Sequence, residues 1–113
     1  MEMKEHIENG VVVIELSGKI MGGPDATTLN DKLHDLIEAG NTQVVADLAN
    51  VNWMNSSGLG ILISALTTIR NAGGDLKLAA VTEKILSLLK ITKLLAIFNT
   101  YDNTEAAVKS FLD

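Results

Sequence analysis

Trp53-Met54-Asn55-Ser56-Ser57-Gly58-Leu59-Gly60 joins a buried strand to an amphipathic helix, and the fold is read outward from it. Just upstream, Gln43-Val44-Val45-Ala46-Asp47-Leu48 is nearly continuous in apolar residues from Val44, the pattern of a strand covered on both faces. Downstream, Leu59, Leu62, Ile63, Leu66 and Ile69 fall on one face of a helix. Between them, Asn55, Ser56 and Ser57 are residue types that cap helices by accepting from unpaired N–H groups. The two hydroxyls stand at the positive end of a helix dipole, which welcomes an anion. Either one serine caps the helix and the other is incidental, or both are presented to another molecule. Gly58 and Gly60 count against a purely structural cap, because each costs up to ~1 kcal/mol of helix stability relative to alanine.

Toward the N-terminus, Met3 to Ile7 reads as a short edge strand and Asn9-Gly10 as a two-residue hairpin turn. Val11 to Leu16 is the β-branched partner strand, so the chain is expected to open with an antiparallel hairpin. Ser17 to Pro24 is dense in turn formers and reads as a loop. Pro24 suits a first helical turn, where Asp25 adds favourable charge. Ala26, Leu29, Leu33, Leu36 and Ile37 define the buried face of that helix, and Gly40 stops it. Beyond the central helix, Gly73-Gly74 is a stop and Asp75 to Ala80 a strand. Thr82-Glu83 opens a helix carrying Ile85, Leu86, Leu88 and Leu89. Ile91 to Ile97 fits a second short helix, and Phe98 to Tyr101 a last strand. Asn103 or Thr104 caps a final helix with Ala107, Val108 and Phe111 inward. Strands alternating with helices imply βαβ units. The expected architecture is α/β, with a mixed four- to five-stranded sheet, an antiparallel N-terminal edge hairpin and about four packed helices.

Length and composition narrow the function classes. The 113 residues suit one domain, residues 1–113, with its own core. A net charge of −5 without a basic stripe argues against direct nucleic-acid binding. Absent cysteine removes thiol catalysis and thiolate metal ligands. The charged start Met-Glu-Met-Lys-Glu-His is no signal peptide, and no apolar run nears the roughly 18 residues of a membrane span. A soluble cytoplasmic protein that does not engage a membrane is expected.

Catalysis finds little support. A serine nucleophile needs a neighbouring base, and neither Ser56 nor Ser57 fits the G-x-S-x-G elbow. The two histidines, His6 and His34, lie on an edge strand and a solvated helix face. Asp31, Asp35 and Glu38 could cluster at helical spacing, but carboxylates on such a face ordinarily solubilise. The Walker ending Gly-Lys-Ser/Thr is missing, and Ile63 stands where a dinucleotide fingerprint needs its third glycine. No catalytic residue, metal or cofactor is expected.

Trp53 to Gly60 resembles the hallmark of the STAS domain, and specifically of the single-domain anti-sigma factor antagonists of bacteria. That hallmark is an apolar-Met-Asp-Ser-Ser/Thr-Gly-Leu-Gly turn between strand and helix. Gly18-Lys19-Ile20, Gly73 to Leu78 and Leu89 to Leu94 match further family features, so the resemblance spans essentially the whole chain. It implies a partner-switching regulator of transcription. Unphosphorylated, the antagonist binds an anti-sigma factor that is also a serine kinase; phosphorylation switches it off, and a serine phosphatase restores it. By position the phosphoacceptor is Ser56, with Ser57 its neighbour. The implied partner surface comprises Met21, Gly22, Asp25, Asn55, Ser56, Ser57, Gly58 and Leu59.

Two departures stand out. Asn55 replaces the family's aspartate, and Met21 stands in the loop where an aspartate is usual, with Asp25 following one apparent insertion later. The alternative reading is a non-switching STAS subunit of a lipid-transport or other multiprotein assembly. A small-ligand binder using the helix start as an anion site is a third class. Whether the chain forms a weak homodimer is left open, as is the role of Trp53; Met54 is expected in the core.

Overall fold

The computed structural model describes residues 1–112. In chain order the elements are β1 (Glu2–Glu8), β2 (Val11–Ile20), α1 (Pro24–Glu38), β3 (Gln43–Met54), α2 (Ser56–Asn71), β4 (Asp75–Ala79) and α3 (Glu83–Ile91). A 3-10 turn (Leu94–Ala96), β5 (Thr100–Tyr101) and α4 (Thr104–Leu112) complete it. The five strands lie in sequence order in one sheet, with β1 antiparallel to β2 and every later pair parallel.

Alternation along β2 divides the core. Val12, Ile14, Leu16 and Ile20 join Val44, Ala46, Leu48 and Val51 of β3 under the buried faces of α1, α2 and α3. Val11 and Val13 point the other way, with Val45 and Ala79, and are covered by Ala107 and Val108 of α4. The apolar run in β3 is thus buried on both faces, as its sequence implied. Fully burying a side chain such as Leu33 or Leu62, both without exposed surface, contributes about 1.5–3 kcal/mol.

Local chemistry sets the boundaries. Asn9 and Gly10 both take positive φ (51° and 83°), the requirement of a tight hairpin turn. The α1 and α2 helices each end in a paired C-terminal motif. Gly40 and Asn41 donate to Ile37 and Leu36, and Gly73 and Gly74 donate to Arg70 and Ile69.

Several expectations need correction. Ser17 to Ile20 is strand, not loop: it pairs with Asn50 to Met54, and two register shifts absorb the turn-prone residues. The central strand accordingly runs on to Met54 rather than ending at Leu48. Ala26 is exposed, since α1 turns its core face from Leu29 onward. Leu86 and Leu88 are only partly buried, leaving Ile85 and Leu89 as the core residues of α3. The last strand shrinks to Thr100–Tyr101, with Phe98 turned into the core.

Candidate functional site

At the end of β3, Met54 is buried, as expected, whereas Trp53 is 36% exposed. Asn55 has extended backbone (φ −101°, ψ −178°), and its Oδ1 accepts from the Gly58 N–H at 2.8 Å. Its carbonyl accepts the Leu59 N–H at 2.9 Å. The cap of α2 is therefore Asn55 and neither serine, which corrects the reading that one hydroxyl is consumed there. Ser56 and Ser57 occupy the first two helical positions and are both exposed.

The second half of the site is the Met21–Gly23 loop between β2 and α1. Gly22 and Gly23 take positive φ (94° and 62°), and Pro24 starts the helix. Met21 is held from both sides: its N–H donates to Asp25 Oδ2 at 3.3 Å, and its carbonyl accepts from Asn55 Nδ2 at 3.4 Å. Because Asn55 Oδ1 is committed to Gly58, its NH2 must face Met21. An aspartate could supply the cap but not this second bond. The substituted residue is thus the clasp between the two loops.

The two serines differ. A Cβ at Gly22 would sit 2.9 Å from Ser57 Cβ, so the loop leans on Ser57. No comparable contact from Gly22 reaches Ser56. Gly58 is the tightest point of the site, because a Cβ there would come within 2.0 Å of the Ile20 carbonyl oxygen. Glycine at 58 is a packing requirement, whereas at Gly60 a Cβ meets open space. The structure brings Met21, Gly22, Asp25, Asn55, Ser56 and Ser57 together at the C-terminal ends of β2 and β3. Gly58 and Leu59 lie beneath them, Leu59 at 3% exposure in the core.

Beside this cluster, Lys19, Met21, Asn52, Trp53 and Lys84 line a shallow groove of about 410 Å³. Lys19, Asn52 and Lys84 were not singled out from the sequence. Only the pairing of Lys19 with Trp53 across β2 and β3, and the placement of α3, bring them together.

The helix start offers an exposed hydroxyl, a favourable dipole and a neighbouring loop held to it by Asn55. Comparison with known proteins defines the class. The STAS domain family matches residues 2–107, and the chain belongs to it. Among its relatives, an anti-sigma F factor antagonist of Paenibacillus polymyxa is 28% identical over 91% of this chain and 86% of that one. An anti-sigma-B factor antagonist of Bacillus subtilis is 32% identical over 74% of this chain and 76% of its own length. The fold also superposes on the Bacillus cell fate determinant SpoIIAA in its phosphorylated form. That match has a TM-score of 0.74 at 17% identity, over 97% of this chain and 99% of the other. Among the described residues, no helix is long and apolar enough to cross a membrane.

Proposed function

We propose that this STAS protein is an anti-sigma factor antagonist: unphosphorylated, it binds an anti-sigma factor with serine kinase activity, and phosphate on Ser56 ends the association. The observation that carries the reading is the exposed Ser56 hydroxyl at the first turn of α2, left free because Asn55 supplies the cap. Relatives named anti-sigma F and anti-sigma-B factor antagonists support the partner class.

The physics of a switch follows. Phosphate adds nearly two negative charges and strong acceptor oxygens. At a helix N-terminus they are stabilised by roughly 0.3–1 kcal/mol, so the fold is expected to survive. At a docked surface the same charges must be desolvated or repelled, and ~2.7 kcal/mol already weakens binding about a hundredfold. Ser57 stands against the Gly22 loop, which favours Ser56 as the acceptor. A serine phosphatase removes the phosphate and completes the cycle.

Binding of the protein to each anti-sigma factor kinase encoded in its own genome tests this, with and without ATP and with the Ser56→Ala and Ser56→Asp variants compared. Before ATP is added, wild type and Ser56→Ala are expected to bind tightly and Ser56→Asp is not. Once ATP is added, wild type is expected to be phosphorylated and released while Ser56→Ala stays bound. Stoichiometric association with a transporter subunit, indifferent to Ser56→Asp, would instead identify a non-switching STAS subunit.

A further inference from the structure

From the groove beside the switch we infer a second contact: Trp53 and Met21, rimmed by Lys19 and Lys84, take an acidic segment of the partner that carries aliphatic side chains. The inference rests on the partner-binding reading above and extends it to a surface that the serine turn does not include.

Two large apolar side chains are exposed together here, Trp53 at 36% and Met21 at 47%. They line the same groove as the ammonium-bearing side chains of Lys19 and Lys84 and the amide of Asn52. Both lysines are exposed, and among the described residues neither has a carboxylate within ion-pair distance, while Lys32 and Arg70 are paired with Glu5 and Asp75. In a chain of net charge −5, two uncompensated ammonium groups around an exposed tryptophan form a local positive rim. Such a rim favours an acidic occupant, and the apolar floor favours aliphatic side chains. Aromatic anchors of this kind dominate binding energy where a partner covers them.

The groove is also continuous with the switch. Met21 lines it, and the Met21 carbonyl is bound by Asn55, the residue before Ser56. A partner segment lying over Trp53 and Met21 would therefore meet the start of α2 next. Negative charge placed on Ser56 would confront an acidic segment docked alongside, which adds electrostatic repulsion to steric blockage.

Trp53 is the chain's sole tryptophan, so its fluorescence reports on the groove directly. Blocked peptides free of tryptophan and tyrosine serve as probes: DELLED, its alanine version DEAAED and the charge-reversed KKLLKK. A saturable blue shift of Trp53 emission with DELLED is expected. It should weaken at least tenfold with DEAAED and in the Lys19→Glu/Lys84→Glu variant, and fade as salt is raised. Both substitutions are on exposed side chains, and circular dichroism checks that the fold is kept. No saturable response, an equal response to KKLLKK, or an unchanged response in the double variant would overturn the inference. A shift that tracks the chain's own concentration would overturn it too, by making a second copy the occupant. Phosphate on Ser56 is read separately by mass. A silent groove on a phosphorylated protein defeats the groove alone, and a responsive groove on a protein never phosphorylated leaves the docking without the switch.

Discussion

Gly58 and Gly60 look alike in the sequence and differ wholly in the fold. A methyl group on Gly58 has nowhere to go, because the Ile20 carbonyl oxygen would lie 2.0 Å away and is fixed in the sheet. Gly58→Ala is expected to lower unfolding stability by about 2–3 kcal/mol, as overpacking against backbone does. Gly60→Ala is expected to raise it by up to ~1 kcal/mol, the helix-propensity gain with no contact to oppose it. Urea denaturation of the two variants decides this; equal effects would contradict the packing assigned to Gly58. Asn55 is the other decisive residue. Asn55→Ala removes both the cap and the bond to Met21, and a loss of about 1–2 kcal/mol is expected. Asn55→Asp keeps the cap acceptor and gains dipole-favoured charge, so its loss should be smaller in the same experiment. The capping chemistry of this turn was legible in the sequence, but which of three candidate residues provides it was not. That choice depends on Oδ1 lying at 2.8 Å from one particular N–H.

At the scale of elements, α4 covers the second face of the sheet through Ala107 and Val108, and Lys77 lies beside that contact. This β4 residue is 9% exposed; its ammonium lies 4.2 Å from the Phe111 ring centroid and 5.6 Å from that of Tyr101, and donates to Ser110 Oγ at 2.7 Å. A desolvated cation over two rings is worth more than one on the surface. Lys77→Ala is expected to cost about 1–2 kcal/mol and to speed amide exchange across α4. Exchange that accelerates equally in α1 would argue against a local role. The strands show why reading elements from sequence succeeds unevenly. Val44 to Leu48 is apolar but for Asp47, and only a two-sided strand buries such a run. Ser17-Gly18 carries turn residues, and a strand forms there only because β3 pairs alongside and absorbs the irregularity in two register shifts. Partner strands far away in sequence leave no mark on a local pattern. The groove was invisible for the same reason: Lys19, Trp53 and Lys84 meet only through the sheet register and the placement of α3.

For the molecule as a whole, the β2–α1 loop and the α2 start are clasped to one another and set on the ends of two central strands. A charge added at Ser56 therefore changes the surface and leaves the core alone. Ser56→Asp is expected to move the melting temperature by less than about 5 °C, since a terminal charge contributes under ~1 kcal/mol, while anti-sigma factor binding falls at least a hundredfold. A large loss of stability with proportionate loss of binding would mean that the switch works by unfolding. The most direct test is intact-protein and peptide mass spectrometry on the protein isolated from its native cells through growth and stress. Phosphate on Ser56, with Ser57 unmodified and the fold retained, is the expected result. Ser56 without phosphate under every condition, or phosphate confined to Ser57, would contradict the switch.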